Sequence, residues 1–476
     1  MDYHSTRGHA PHVSFEDAVL TGLASDGGLY VPVTLPRFNA QELEALSALP
    51  YAELAYRILQ PFCEGTLEDA TLSSLVQESY GSFRHAAIAP LVQIGSNDWI
   101  LELFHGPTLA FKDFALQFLG RLMSHLLQKR GQKVVVLGAT SGDTGSAAIA
   151  GCHGLPGMEI VILFPKGRVS EVQRRQMTTY TDANVHPVAV EGTFDDCQQI
   201  VKTLFVDASF KEKHPLVAVN SINWARIAAQ IVYYFYAGLR LGALHRPVAF
   251  TVPTGNFGDI YAGYLASQMG LPVADLVIAT NRNDILARCL ETGMYDMREV
   301  TPSLSPSMDI QISSNFERLL FDLYHQDSAS IHGLMESLRQ NRRFTLSPAA
   351  HTALKARFSA GCADDAATLA AIASTSRESG YLLDPHTAVG VHVAKNITRR
   401  NAYGSGQRKP EQPENNPTPM VTLATAHPAK FPDAVKQAAG VHPALPAHLA
   451  DLFERKEKMA SLPNDPEAVK AFIEGL

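Results

Sequence analysis

From Lys133 to Thr280, short β-branched runs alternate with stretches of helical length, and this alternation limits the fold more than any other feature of the chain. KVVVLGAT precedes TGSAAIAGC, EIVILFP precedes SEVQRRQMTTY, and VHPVAV precedes DDCQQIVKTLF. LVAVN, NWARIAAQIVYYFYAGLR, PVAFTVPTG, YAGYLASQMG and ADLVIAT continue the series. Runs that are apolar on both faces belong to strands covered on both sides, and parallel strands need crossovers of roughly a dozen residues or more. The expected fold class is therefore α/β, with parallel sheets flanked by helices.

The 476 residues exceed what a single core usually serves, so further segments are expected. Residues 1–95 lack the alternation and predict a separate, mostly helical segment, with helices around QELEALSALP and YAELAYRILQPF and a turn at DGGLYVP. Residues 96–403 should form the α/β core, with a helical region near 283–358. GSGQRKPEQPENNPTP, over 404–419, has four prolines and no apolar residue, and predicts a surface loop or disordered insertion. MVTLAT then opens a segment, 420–476, whose strand and helices complete the core.

A net charge of -7, with 46% apolar and 18% charged residues, describes a soluble protein and gives no support to nucleic acid or an anionic membrane as partner. No run reaches the roughly 18 apolar residues of a membrane span, and the N-terminus has no apolar leader core, so a cytoplasmic location is expected. The five cysteines are odd in number, scattered and never in C-x-x-C spacing, which suggests neither a disulfide framework nor a metal site. Monomer and homodimer both stay open.

Within ELFHGPTLAFKDFALQ (102–117), Lys112 is a lone cation among Ala110, Phe111 and Phe114. Partial burial lowers an amine's pKa and makes it a usable base or Schiff-base nucleophile. GATSGDTGSAA (138–148) and PTGNFGDIYAG (253–263) each follow a strand and open a helix, where backbone N–H groups and the helix dipole favour an anion. GATSGDTGSAA is neither a Walker loop, whose lysine is missing, nor a G-x-G-x-x-G dinucleotide turn. Two such loops at strand carboxyl ends suit a ligand with two anionic groups, and a lysine beside them suits an aldehyde cofactor carrying a phosphate.

These residues resemble threonine synthases of the longer bacterial and fungal type, in the fold type II (tryptophan synthase β-like) group of pyridoxal-phosphate enzymes. Ten blocks occur in family order, among them YHSTRG (3–8), SFEDAVLTGLASDGGLYVP (14–32), FPKGRVSEVQRRQM (164–177), NSINWARIAAQ (220–230), SMDIQISSNFERL (307–319), DPHTAVGV (384–391) and LATAHPAKFPDAV (423–435). The resemblance implies pyridoxal 5'-phosphate as cofactor and Lys112 as the lysine that carries it as a Schiff base. It implies Gly255, Asn256, Phe257 and Gly258 for the cofactor phosphate and Thr425 opposite the pyridine nitrogen. Ser141, Gly142, Asp143 and Thr144 would receive the substrate carboxylate; relatives often carry asparagine at the position of Asp143, which puts the weight on backbone and hydroxyl donors.

For the substrate phosphate the matching motifs offer Lys166, Arg168, Ser313, Asn315 and Arg318. The implied reaction turns O-phospho-L-homoserine and water into L-threonine and phosphate, the last step of threonine biosynthesis. Two other readings stand beside it: a threonine or serine dehydratase, which has no use for a second phosphate site, and a non-catalytic relative that binds phosphorylated ligands and would be marked by loss of Lys112 or the GNFG loop.

Overall fold

The computed structural model describes residues 1–402 and 418–476, the side chains of 398–402 apart. Two sheets organise it, as the strand and helix alternation predicts. One sheet runs in the order Phe358–Cys362, Val273–Thr280, Val248–Pro253, Met420–Ala424, Asp98–Glu102, Leu91–Gln93. Its strands are parallel except for the last pair. The other sheet, parallel throughout, runs Ala460–Pro463, Val185–Glu191, Met158–Pro165, Val134–Ala139, Leu216–Val217. Val248–Pro253 and Met420–Ala424 are buried along their whole length, which is why both read as unbroken apolar runs rather than alternating ones.

The segment 1–95 differs from the expectation in two respects. Asp2–Ser5, Val13–Ser14 and Tyr30–Pro32 form a three-stranded antiparallel sheet beside the expected helices Ala40–Ser47 and Tyr51–Cys63. Leu91–Gln93 is an edge strand of the first core sheet, so a boundary at 95 cuts a hairpin. Nor does the segment have a core of its own: Tyr3 and Phe62 pack edge-on against Trp224, both at 5.8 Å, and Tyr51 meets Phe114 at 5.5 Å. Its strands are two to four residues long, too short for a period-2 pattern to register.

The region 283–358 is mostly helical as expected, joined by a small hairpin of Met294–Asp296 and Arg343–Thr345. Ala460–Pro463, with alternating half-exposed residues and a proline, extends the second sheet rather than the first. Of the Pro-rich stretch expected over 404–419, all but the last two residues lie outside the described part of the chain. Among the described residues no helix is long and apolar enough to cross a membrane.

One helix crossing positions the chemistry. Helix Lys112–Arg130 meets helix Asp143–Cys152 backbone to backbone at two glycines. A Cβ on Gly120 would fall 2.0 Å from the Gly151 carbonyl oxygen, and one on Gly151 would fall 2.3 Å from the Leu116 oxygen. Each glycine lies eight residues past its helix's first residue, about 12 Å at 1.5 Å per residue. The crossing therefore brings the two helix starts, Lys112 and Asp143, side by side.

Candidate active site

At those helix starts the Lys112 ammonium stands 3.5 Å from Asp143 Oδ2, with both side chains nearly buried. Phe111, whose ring lies 5.0 Å beneath the amine, donates its N–H to the Thr425 carbonyl at 2.9 Å. An Ala110–Ala426 bridge holds the same stretch to the end of strand Met420–Ala424. The Lys112 stretch and buried Thr425 are thus tied to one another through backbone.

Strand Val248–Pro253 neighbours that strand, and the GNFG loop follows it. Phe257 takes a left-handed conformation (φ 64°), the turn that gathers successive N–H groups into an anion-binding hollow at the start of helix Gly258–Gln268. The loop's carbonyls are turned outward. Ser313 Oγ donates to the Gly255 oxygen at 2.6 Å, and the Asn315 backbone and side-chain N–H groups donate to the Asn256 oxygen at 3.0 and 3.1 Å. At Gly258 a Cβ would come within 3.2 Å of both Asn315 Nδ2 and Ile227 Cδ1, a tight fit that would need both side chains to shift by a few tenths of an ångström. A hollow of N–H donors, a buried amine and a hydroxyl just past a strand end together have the chemistry that would fit pyridoxal phosphate, with Gly255 to Gly258 the residues that would hold its phosphate and Lys112 the one that would hold its aldehyde end.

Ser313, Asn315 and Arg318, expected at the substrate phosphate, are thus committed elsewhere. Arg318 is fully buried and donates to the Tyr30 and Ile222 carbonyls and to Asn315 Oδ1. It ties the N-terminal sheet to the loop support and has no free fork for a phosphate. The neighbouring Glu317 accepts both Arg7 N–H groups, at 3.1 and 3.0 Å, and the Thr6 hydroxyl at 2.6 Å. The STRG and SSNFER blocks are therefore two halves of one clamp. Lys166 and Arg168 are exposed; Lys166 pairs with Glu191 at 3.1 Å and Arg168 acts on Asp196, so neither is drawn to Lys112.

In the SGDT loop Gly142 spends its N–H on Thr140 Oγ1 at 2.9 Å, and Ser141 is exposed while Thr144 is half-buried. The Asp143 side chain is wholly engaged. Its Oδ1 accepts from Gln173 at 2.9 Å and pairs with Lys430 at 3.0 Å; its Oδ2 faces Lys112 and the Ser307 hydroxyl. Burial alone would raise Asp143, but Lys430 and then Lys112, with the Gln173 amide, hold it far below the usual carboxylate range. A substrate carboxylate at this loop is left with the two hydroxyls and the N–H groups of the helix start.

Two cations of the site were not foreseen. Arg226, in the first turn of helix Trp224–Arg240, is 3% exposed, and among the described residues its Nε and Nη1 have no hydrogen-bond partner. Burial pushes its guanidinium down to about 10. Lys430 is fully buried and donates to the Thr108 carbonyl at 2.6 Å and Gln176 Oε1 at 2.9 Å. Both cations act on Lys112: burial lowers its pKa most, Asp143 opposes this, and Lys430 and Arg226 reinforce it. The signal that singled out Lys112, one cation in an apolar stretch, is present in NWARIAAQIVYY and in HPAKFPDAV as well.

Comparison with known proteins agrees with this geometry. Three family models match: "Threonine synthase N terminus" over residues 2–80, "Pyridoxal-phosphate dependent enzyme" over 88–361, and "Threonine synthase, C-terminal" over 387–473. A threonine synthase of Pseudomonas aeruginosa is 55% identical over 474 residues, 99% of this chain and 98% of that protein. A threonine synthase from Brucella melitensis, solved with pyridoxal phosphate bound, superposes with a TM-score of 0.94 at 52% identity, covering 100% of this chain and 99% of the other. The yeast threonine synthase structure gives 0.91 at 41% identity, over 99% and 98% of the two chains.

Proposed function

The chain belongs to the threonine synthase family, with pyridoxal phosphate as cofactor, and on that premise we propose that it converts O-phospho-L-homoserine and water to L-threonine and phosphate. One observation carries the choice of substrate: beside a lysine already served by one anion hollow lies a second buried cation, Arg226, with unpaired donors. A buried guanidinium without a partner is unfavourable, and its planar fork matches a phosphate. An α-carboxylate has its own donors at the SGDT loop, so Arg226 is left for the phosphate of the substrate.

Bound pyridoxal phosphate supplies the conjugated system over which negative charge at the carbon next to the amine is spread. Thr425 would offer the cofactor ring a neutral hydroxyl rather than a carboxylate, which would leave the ring nitrogen largely unprotonated. Lys112 Nζ is the group that takes the proton from the amine-bearing carbon and returns one at the end, and its lowered pKa provides the free amine this requires. Ser141, Thr144 and the adjoining N–H groups orient the carboxylate. Arg226 holds the phosphate while it leaves the terminal carbon with its bonding pair, a proton lost from the neighbouring carbon supplying the electrons of the new double bond; the terminal carbon then takes up a proton, and water adds its hydroxyl at the neighbouring carbon. The Arg7 and Thr6 clamp on Glu317 holds the N-terminal segment over the loop support, which restricts water during elimination. The enzyme acts as a soluble cytoplasmic protein.

A substrate comparison separates this from a dehydratase. L-Serine and L-threonine should release keto acid at less than about a thousandth of the turnover of O-phospho-L-homoserine, since neither carries a group that pairs with Arg226. Comparable rates on all three would favour the dehydratase.

A further inference from the structure

Two buried lysines share one carboxylate in this site, and the sharing is unequal. Lys430 lies 3.0 Å from Asp143 Oδ1, an oxygen also held by Gln173, while Lys112 lies 3.5 Å from Oδ2. We propose that Lys430 is a positioning residue for the reacting amine: it anchors Asp143 by one oxygen so that the carboxylate cannot close on Lys112, which stays loosely paired and free to exchange its proton.

Among the described residues Lys430 has one ion-pair partner, Asp143, and a longer-range effect on buried Asp113. It lies on a short 3-10 turn, Pro428–Lys430, after the strand that carries Thr425, and is wholly enclosed. Its remaining partners, the Thr108 carbonyl and Gln176 Oε1, are neutral, and Gln176 already donates to the same carbonyl at 3.1 Å. A neutral donor would serve those two. Among the described residues Asp143 is the carboxylate in ion-pair contact with Lys430, and a buried carboxylate paired to Lys112 alone would form a closed ion pair and hold the amine protonated.

Every charged neighbour bears on this balance. Asp143, Lys430 and Arg226 face Lys112, which in turn acts on Asp259, buried under the Tyr233 and Tyr234 hydroxyls. Asp143 is faced by Lys430, Lys112 and His386; His386 accepts the Ser307 N–H at Nε2 and so turns Nδ1–H to Asp384. Lys430 also acts on Asp113, held by Thr108, and on His427. Of these, Lys430 is the one in ion-pair contact with the carboxylate that Lys112 faces, so its removal bears most directly on that amine.

The inference rests on Lys112 as the reacting amine, and the test separates the two. In the holoenzyme, the pH midpoint of the cofactor's visible band and the acid limb of kcat/KM are measured for Lys430→Met, Lys430→Arg and Asp143→Asn. Removing a neighbouring positive charge favours the protonated amine, so Lys430→Met should move both midpoints up by about one unit or more, a tenfold loss of activity on the acid side. Asp143→Asn should move them down, and Lys430→Arg should stay near the wild type. If Lys430→Met lowers thermal stability but leaves both midpoints in place, as Gln176→Leu should, Lys430 is only a structural tie and the proposal fails. A visible band that survives Lys112→Ala would instead overturn the reading of Lys112.

Discussion

Lys112→Ala will give a folded protein that has lost the visible absorbance of bound pyridoxal phosphate and turns over at least about 10⁴-fold more slowly, since the proposed mechanism has one group both attach the cofactor and move protons. The fold should survive because the other half of the ion pair is not orphaned: Asp143 keeps Lys430 at 3.0 Å and the Gln173 amide at 2.9 Å. Helix Lys112–Arg130 loses no packing, as its core contacts run through Phe114, Phe118, Leu119 and Leu122. Absorbance between pH 6 and 9 on protein saturated with the cofactor, alongside a melting curve, checks both statements. A retained band with unchanged melting would show that another group holds the cofactor.

Arg226→Gln should separate function from stability in the opposite way to an ordinary buried substitution. The native guanidinium is buried with unpaired donors, so a neutral amide relieves a desolvation cost, and the variant should melt at or above the wild-type temperature. Its kcat/KM for O-phospho-L-homoserine should fall by about 10²- to 10³-fold, the loss expected for one or two charge-assisted hydrogen bonds of roughly 1.5–3 kcal/mol each. The cofactor band should be unaffected, because the hollow at Gly255 to Gly258 is made of backbone. A variant that melts far lower but keeps its kcat/KM would make Arg226 a structural residue.

What the sequence made legible was what local pattern encodes. Strands buried on both faces, such as Val248–Pro253, announce a parallel sheet, whereas Ala460–Pro463 is fixed by a partner far away in the chain and the two- to four-residue strands of the N-terminal sheet are too short for a pattern to show. Lys112 stands out because its apolar neighbours leave it little solvent. Arg226 gives the same signal, but in NWARIAAQIVYYFYAGLR a single arginine also reads as the polar face of an amphipathic helix. In the structure that face is buried too, and nearly every residue from Trp224 to Leu239 is enclosed.

The motif residues of the SSNFER block mark the right place but a different role. Ser313, Asn315 and Arg318 shape the phosphate loop from behind, a division between contact and support that spacing cannot reveal. Lys166 and Arg168 follow a strand end, as binding residues do, yet strand Met158–Pro165 delivers them to the surface beside Glu191 and Asp196.

The most direct test of the whole account is a parallel assay of phosphate release and threonine formation from O-phospho-L-homoserine, with pyridoxal phosphate supplied. The account predicts the two products in a one-to-one ratio throughout the time course. Phosphate without threonine, or neither product from protein that shows the cofactor's visible band, would contradict it.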